Sequence, residues 1–299
     1  MTVNENLVQK FGKIAVLFGG NSAEREVSLR SGNAVLNALL ETGCDAHAFD
    51  PADKSLAQIS VEQFERAFIV LHGRGGEDGT IQGALEFLNV PYTGSSVLGS
   101  ALCMDKVRSK QIFESSGLPT APYRVLRPEE FTGQELPEIL SELGGTVMVK
   151  PALEGSSIGM TKVTNIDEFM GALDLAFKYD QRVLVEQFIQ GKEYTVSMLN
   201  GKALPSIRMV TPRVFYDYQA KYEENTTEYH CPSGASESEE AQLASLAEKA
   251  FTALGASGWG RVDFMQSATG EFFILEVNTV PGMTEKSLVP MAAKQAGYN

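Results

Sequence analysis

The segment EFFILEVNTVPGMT (271–284) constrains the fold of this chain more than any other stretch. Its apolar and polar residues alternate, which predicts a half-buried β-strand. Glu276 and Asn278 are two residues apart, so they lie on the same face of that strand, and Pro281-Gly282 ends it. A carboxylate and an amide are therefore presented side by side near the end of a strand.

A second strand just upstream is predicted to pair with the first. The segment GWGRVDFM (258–265) carries Arg261 and Asp263 on one face, and residues 267–270, Ser-Ala-Thr-Gly, are typical of the turn in a hairpin. In such a hairpin Asp263 lies opposite Glu276 or one pair away. Carboxylates so placed repel each other, and a cation between them removes that repulsion.

Two carboxylates and an amide oxygen suit one kind of metal site. Asp263, Glu276 and Asn278 are the hard oxygen ligands that Mg²⁺ prefers, and Mg²⁺ in such sites carries substrate phosphates. This favours ATP chemistry in a chain that has no Walker loop. The alternative is a hairpin with one solvated face, because Arg-x-Asp and Glu-x-Asn also fit simple alternation. The local pattern leaves both interpretations open.

Composition and charge exclude several classes of protein. The 299 residues suffice for two or three domains, and 43% hydrophobic with 21% charged residues is typical of soluble globular proteins. A net charge of −13 argues against nucleic acid as a partner, because phosphate backbones select basic surfaces. No apolar run approaches a membrane span, and residues 1–18 lack the layout expected of a secretory signal. Cys44, Cys103 and Cys231 form neither a disulfide framework nor a zinc spacing, which predicts reduced thiols in the cytoplasm.

The chain is predicted to belong to the α/β (α+β) class. In its first hundred residues strand and helix patterns alternate, which predicts parallel βαβ units with ligands at the carboxyl ends of the strands. The predicted elements there are strands at 13–20, 45–50 and 66–73 and helices at 28–42 and 80–88. The later predicted elements are helices at 105–117, 166–178 and 236–254 and strands at 146–151, 182–189, 193–199 and 203–209. The polar stretch 211–234 is long for a plain connection, which predicts a functional loop.

Several residues suit a nucleotide site. Lys150 ends a strand before the small residues 155–159, where backbone N–H groups can approach phosphate oxygens. A flexible hairpin tip is the alternative. Lys106 begins a helix, and its local pattern favours a surface lysine. Glu186 and Glu193 flank a strand-turn-strand, a pattern that fits contacts to adenine or ribose and a solvated edge equally well.

Other residues suit a substrate site and a lid. Glu24 follows the glycine turn after the first strand, where a carboxylate can hold an ammonium group, although alone it is more typical of a helix N-terminus. His72 ends the third strand near the same cleft. The segment FYDYQAKYEEN (215–225) crowds Lys221 and Tyr222 among other aromatics, which favours a lid that excludes water over a sticky surface loop.

Together the motifs resemble one enzyme family, the D-alanine–D-alanine ligases, which are ATP-grasp enzymes of bacterial cell-wall synthesis. The resemblance covers nearly the whole chain, and the combination is specific although several pieces are weak alone. The motifs are, in order, LFGGNSAEREVSLRSG, LHGRGGEDGTIQGALE, PYTGS, MDK, VKPALEGSSIGM, FYDYQAKY, GWGRVDFM, LEVNTVPGMT and SLVPMAA.

The resemblance implies a three-domain ATP-grasp fold. An N-terminal parallel-sheet domain (1–105) is implied for the first D-alanine, followed by a central domain (106–192) and a C-terminal domain (193–299) with a lid loop at 211–228 and the Mg²⁺ site. The implied reaction starts when ATP phosphorylates the carboxylate of one D-alanine. The amine of a second D-alanine then attacks the acyl phosphate, and D-alanyl-D-alanine, ADP and phosphate leave.

The resemblance also implies roles for single residues. Two Mg²⁺ ions, replaceable by Mn²⁺, are implied at Asp263, Glu276 and Asn278. The implied ATP contacts are Lys106, Lys150, Glu186, Glu193 and Lys221. The residues implied to act on the substrates are Glu24, Ser156, Tyr222, Arg261, Gly282 and Ser287, with His72 and Leu288 at the substrates.

Within this set, Glu24 is implied to hold the first ammonium group and to form a hydrogen-bonded trio with Ser156 and Tyr222. Arg261 and the backbone N–H of Gly282 are implied to stabilise the oxyanion of the tetrahedral intermediate.

Three other interpretations remain. A related ligase would use D-lactate or D-serine as second substrate, although Tyr222 resembles the dipeptide-forming branch. A non-catalytic nucleotide-binding protein would not require the full set of charged residues. A Rossmann oxidoreductase would need G-x-G-x-x-G after the first strand, which the chain lacks. The resemblance further implies a homodimer and a last helix beyond the SLVPMAAKQAG stretch, whereas this chain ends at Asn299.

Overall fold

The chain begins with a parallel sheet of three strands. The computed structural model describes residues 10–212 and 226–298. The strands, in the spatial order β2–β1–β3, are β1 (Ile14–Leu17), β2 (Ala46–Phe49) and β3 (Arg66–Ile69). The crossover helices are α1 (Arg25–Glu41) and α2 (Ala57–Val61). Parallel neighbours need such crossovers, so the βαβ units predicted from sequence are confirmed.

Three helices lead from this sheet into the rest of the chain. They are α3 (Thr80–Phe87), α4 (Val97–Met104) and α5 (Lys106–Ser115). Asp105 separates the last two because its carboxylate accepts hydrogen bonds from the backbone N–H groups of Val107 and Arg108, both at 3.1 Å. An aspartate that caps a helix in this way fixes where the helix begins.

The second sheet is antiparallel, in the order β4–β7–β5–β6. Its strands are β4 (Tyr123–Leu126), β5 (Val147–Pro151), β6 (Thr161–Val163) and β7 (Val183–Gln187). Helices α6 (Leu136–Glu142) and α7 (Ile166–Ala176) accompany it. Buried residues of α7, such as Phe169 and Leu173, share a core with Val147 and Val185 of the strands. One face of this sheet is thereby covered, as a half-buried sheet requires.

The third sheet has the order β11–β10–β8–β12–β13, with β9 paired to β8. Its strands are β8 (Gly191–Leu199), β9 (Lys202–Ala203), β10 (Ile207–Val210), β11 (Glu228–His230), β12 (Trp259–Ser267) and β13 (Phe272–Asn278). Helices α8 (Glu237–Ala253) and α9 (Leu288–Gln295) complete it. The single strand predicted at 203–209 is wrong, because Pro205 cannot donate to a ladder and falls between β9 and β10. The polar stretch 211–234 contains β11.

Hydrophobic cores connect the three sheets, partly through helix α5, whose Val107 packs with Leu184 of the second sheet. Phe113 of α5 and Leu118 share a core with Val262 and Ile274 of the third sheet. Trp259 of β12 packs with the core of the parallel sheet. Because segments that are distant in the chain share these cores, the sheets are held in a fixed arrangement. This arrangement positions the cleft between them.

The cysteines and the helices of the described residues bear on two predictions made from composition. Cys44, Cys103 and Cys231 are all free thiols, as predicted. Among the helices described here, none is both long and apolar enough to cross a membrane.

Candidate active site

The hairpin of β12 and β13 brings the predicted charged residues together. Asp263 pairs directly with Glu276, and Arg261 pairs with Asn278, so the predicted hairpin is confirmed. Asp263 is only 6% exposed. Its carboxylate accepts from Arg261 Nε and Nη2, both at 2.8 Å, from Thr195 Oγ1 at 2.6 Å and from Asn278 Nδ2 at 3.0 Å. Charge-assisted bonds of this kind fix the position of a buried carboxylate.

The chemistry of this cluster fits a magnesium ion. Two carboxylates and an amide supply oxygen ligands of the type that Mg²⁺ takes. In the part of the chain that the structure describes, no three His, Cys, Asp or Glu side chains are grouped as a metal site. An ion bound by Asp263 and Glu276 would take its third protein ligand from the amide oxygen of Asn278. An ion bound here would share Asp263 with Arg261.

A buried group of two lysines and one glutamate lies at the floor of the cleft. Glu186 of β7 is 2% exposed. Lys150 Nζ, at the end of β5, donates to one oxygen of its carboxylate. Lys110 Nζ lies 3.0 Å from the other oxygen. Sequence reasoning missed Lys110, although it lies three residues from both Val107 and Phe113 on the buried face of α5. That spacing on an apolar helix face was the available signal.

The two lysines control the ionisation of Glu186. Burial alone would raise the pKa of this carboxyl group, but the positive charges of Lys150 and Lys110 outweigh burial and lower the pKa to about 2. Burial also lowers the pKa of Lys110, against the opposing effect of Glu186. Glu186 is therefore an anion at neutral pH, and it is neutralised from two sides.

Lys106 connects the small-residue loop (residues 155–159) to the hairpin of β12 and β13. Its Nζ donates to the carbonyl of Glu154 at 2.6 Å and lies 3.6 Å from Glu276 Oε2. The side chain is 10% exposed. This burial excludes the interpretation of Lys106 as a surface lysine. Its ammonium group lies where the loop and β13 approach each other.

The small-residue loop also contacts the parallel-sheet domain. Ser156 Oγ donates a hydrogen bond to Glu24 Oε2. Glu24 is 6% exposed and precedes α1. A Cβ at Gly155 would lie 2.5 Å from Glu24 Oε1, so glycine is required for the loop to approach this carboxylate. Ser156 and Ser157 have φ of 49° and 60°, in the left-handed region. Backbone of this kind is typical of functional loops.

His72 and Glu77 lie beside Glu24. His72 is 4% exposed, and its Nε2 finds no hydrogen-bond partner among the described residues. Its Nδ1 lies 3.9 Å from Glu77 Oε1. A buried polar nitrogen without a protein partner costs free energy unless a ligand or water satisfies it. The histidine is therefore well placed to contact a polar ligand.

The turn after β13 completes the site. The backbone N–H of Thr284 donates to Ser287 Oγ at 2.9 Å, and that of Met283 donates to Ser31 Oγ of α1 at 3.1 Å. These bonds fix the turn that contains Gly282 against the first domain. Leu288 begins α9 and is 6% exposed.

Two cavities meet at these residues. The first lies between the second and third sheets and is lined by Lys106, Lys150, Ser156, Glu186, Glu193, Arg261, Asp263 and Glu276. The second measures about 720 Å³ and is lined by Glu24, His72, Ser156, Arg261, Glu276, Asn278, Gly282, Ser287 and Leu288. Ser156, Arg261 and Glu276 line both. Every predicted site residue in the described ranges lines one cavity or both, whereas Lys221 and Tyr222 lie outside the described residues.

The fold and the cleft together define the class of the protein. Two antiparallel sheets with a charged cleft between them, preceded by a parallel-sheet domain, form an ATP-grasp fold. A crystal structure of the D-alanine–D-alanine ligase from Bacillus anthracis matches with a TM-score of 0.84 at 35% identity, covering 95% of this chain and 92% of that one. The same enzyme complexed with ATP matches with a TM-score of 0.82 at 32% identity over the same shares.

Sequence comparisons identify the family. The model described as D-ala D-ala ligase N-terminus matches residues 44–95, and that described as D-ala D-ala ligase C-terminus matches residues 112–299. The D-alanine–D-alanine ligase of Pseudoalteromonas atlantica is 63% identical over 292 residues, covering 98% of this chain and 92% of that protein. This chain belongs to the D-alanine–D-alanine ligase family.

Proposed function

We propose that this protein joins two D-alanines to D-alanyl-D-alanine, with ATP as co-substrate and a D-alanyl phosphate as intermediate, in the synthesis of peptidoglycan precursors. The observation that carries the proposal is the meeting of the two cavities at Arg261 and Glu276. One cavity supplies lysines for phosphates, and the other supplies Glu24 and His72 for an amino acid. The relative that is 63% identical is named D-alanine–D-alanine ligase, and that name does not favour D-lactate or D-serine as the second substrate.

The ATP site is assigned to the first cavity. Phosphoryl transfer needs positioning and charge neutralisation more than covalent chemistry. Lys106 and Lys150 supply positive charge there, and Lys221 is assigned the same role. Glu186 and Glu193 are assigned to the adenine and ribose end of the cavity. In this arrangement the phosphates point toward the hairpin that carries Glu276.

The magnesium site is assigned to Asp263, Glu276 and Asn278. Bound there, two Mg²⁺ ions, or Mn²⁺ in their place, would neutralise charge on the transferred phosphoryl group. The ligands are held in place by the chain itself, since Thr195 and Arg261 fix the Asp263 carboxylate. A ligand that is already oriented loses less entropy when the ion binds.

The D-alanines are assigned to the second cavity. Glu24 holds the ammonium group of the first, beside His72, and Ser156 orients the Glu24 carboxylate through its hydrogen bond. Tyr222 is assigned to the same hydrogen-bonded trio. Ser287 and Leu288 border the carboxylate of the second D-alanine.

Two hydrogen-bond donors are assigned to stabilising the transition state, and a lid is assigned to protecting the intermediate from water. Arg261 and the backbone N–H of Gly282 stabilise the oxyanion formed when the second amine attacks, as preorganised donors do. An acyl phosphate is destroyed by water, so the loop 211–228 is assigned the role of a lid that excludes water. We assign three domains to the chain, at residues 1–105, 106–192 and 193–299.

The first test is a substrate panel with product identification by mass. We expect ATP-dependent phosphate release with D-alanine alone, yielding the dipeptide, and none with L-alanine. Removal of divalent metal by EDTA is expected to stop turnover, and Mn²⁺ or Mg²⁺ is expected to restore it. A mixed product formed preferentially from D-alanine and D-lactate, or with D-serine, would contradict D-alanine as second substrate. ATP binding without turnover of any amino acid would contradict the catalytic assignment.

We also propose that the protein is a cytoplasmic homodimer. Phe87 of α3 is 88% exposed and Leu98 of α4 is 66% exposed, and because these two helices contact each other, we place the interface at these side chains. We expect sedimentation equilibrium to give twice the chain mass of 32.4 kDa, and Phe87→Ser to lower it toward that mass. A parent protein with the mass of one chain at micromolar concentration would contradict the dimer.

A further inference from the structure

Lys110 is a buried cation that no step of the proposed reaction uses. It is 1% exposed and lines neither cavity. Its Nζ lies 3.0 Å from Glu186 Oε2 and donates to Thr120 Oγ1 at 2.7 Å. The Thr120 hydroxyl in turn donates to the carbonyl of Ile274 on β13 at 3.1 Å, and the Tyr123 ring lies 5.1 Å from the ammonium group. The ammonium group is therefore fixed behind the floor of the first cavity.

Glu186 is shared between Lys110 and a lysine that does line the cavity. Lys150 contacts one carboxylate oxygen and Lys110 contacts the other. Two lysines and one glutamate carry a net charge of plus one. Without Lys110 the remaining pair, Lys150 and Glu186, would carry no net charge. The positive charge that the cavity floor offers to a ligand therefore depends on a residue outside the cavity.

We propose that Lys110 is a positioning residue for the nucleotide. Lys110 neutralises Glu186 from behind, so that Glu186 does not cancel the positive charge that Lys150 presents to the phosphates. The inference rests on the proposed function in placing ATP in the first cavity. Charges inside a protein interact more strongly than in water, because the effective dielectric constant is about 20 rather than 80. One unit of charge near a triphosphate is thus expected to change its affinity by at least about tenfold.

A merely structural ion pair would behave differently. If Lys110 only held α5 against β7, its loss would weaken all nucleotides alike. A charge effect instead grows with the number of phosphates. The decisive readout is therefore a ratio, the Kd of AMP divided by the Kd of β,γ-imido-ATP, both measured by calorimetry with Mg²⁺ and without D-alanine. Contacts to the adenosine part cancel in this ratio.

Three variants set the charge of the cluster to different values. Lys110→Met removes one positive charge, Glu186→Gln removes the negative charge, and the double variant restores the parent's net charge. We expect the ratio to fall about tenfold in Lys110→Met, to rise above the parent in Glu186→Gln, and to return to within about threefold in the double variant. Arg108→Met is the matched control, since Arg108 lies on the same helix, is exposed, and donates a hydrogen bond to Gln111 at 2.9 Å.

Each outcome decides the proposal. An unchanged ratio in folded Lys110→Met, or an equal loss of AMP and β,γ-imido-ATP affinity, overturns it. If Lys110→Met does not fold, the ratios of the parent, Glu186→Gln and the double variant still decide the proposal. Only a charge effect gives Glu186→Gln the highest ratio of the three. Turnover of D-alanine by the parent is measured in the same preparation. If the parent does not turn over D-alanine but the ratio still depends on the charge of the cluster, the proposed reaction is refuted. The proposed role of Lys110 in nucleotide binding then still holds.

Discussion

Replacing Glu276 with alanine is expected to abolish most of the ligase activity without unfolding the protein. Glu276 pairs with Asp263 across the hairpin, lines both cavities and lies 3.6 Å from Lys106. Its loss would leave the proposed magnesium site with one carboxylate, at the point where charge would develop during phosphoryl transfer. Metal stabilisation of that charge amounts to several kcal/mol, so kcat is expected to fall about 10³-fold. Steady-state kinetics at saturating ATP and D-alanine measures this.

The matched control for this prediction is Glu271→Ala. Glu271 lies in the turn of the same hairpin and is exposed, so it changes the same charge without touching either cavity. We expect it to retain the parent's kcat. The melting temperatures of both variants should stay close to that of the parent, since the Glu276 side chain is 28% exposed. A Glu276→Ala variant with kcat within tenfold of the parent would refute the assignment of this residue.

Gly260→Ala is expected to lower both stability and activity. A Cβ at Gly260 would lie 2.6 Å from Cε2 of Phe251 and 2.7 Å from the carbonyl oxygen of Asn278. The first contact is within the buried core, and the second is with the backbone of a site residue, so neither atom can yield cheaply. Overpacking of this kind costs about 1–3 kcal/mol. Because β13 must shift, we expect the distance between Asn278 and Asp263, and with it kcat, to change as well.

Gly171→Ala is the control for the glycine prediction. Gly171 lies in the exposed part of α7, and a Cβ there would meet no atom within 4 Å. Alanine is the better helix former by up to about 1 kcal/mol, so this variant is expected to be as stable as the parent or more stable. Urea midpoints and kcat are compared for both variants. Equal midpoints and equal kcat for Gly260→Ala and the parent would show that the core absorbs the methyl group.

The parts of the site that sequence predicts well are those set by local alternation. The hairpin of Asp263 and Glu276 follows from strand alternation and a four-residue turn, both of which act over a few neighbours. The parallel sheet follows from alternating strand and helix patterns for the same reason. The apolar pattern of 203–209 does not predict the split at Pro205, because that split depends on the N–H group that proline lacks.

The parts that sequence does not predict depend on which distant segments meet. The spacing of Lys110 from Val107 and Phe113 indicates a buried position, but only packing against β7 makes it a partner of Glu186. Thr195 reads as a plain strand residue until β8 pairs with β12 and places its hydroxyl on Asp263. Long-range pairing of this kind is a property of tertiary structure, so single-sequence patterns do not report it.

The cores shared between sheets also determine the order in which the chain can fold. Phe113 and Leu118 are buried against Ile274, and the Thr120 hydroxyl donates to the carbonyl of that same residue. On the ribosome these contacts cannot form until the last strand has emerged, so α5 leaves the exit tunnel long before the strands of the third sheet that cover Phe113. Contacts of such sequence separation slow folding and leave apolar surface exposed meanwhile. Synthesis of this protein therefore includes an interval in which most of the chain exists and its largest core does not.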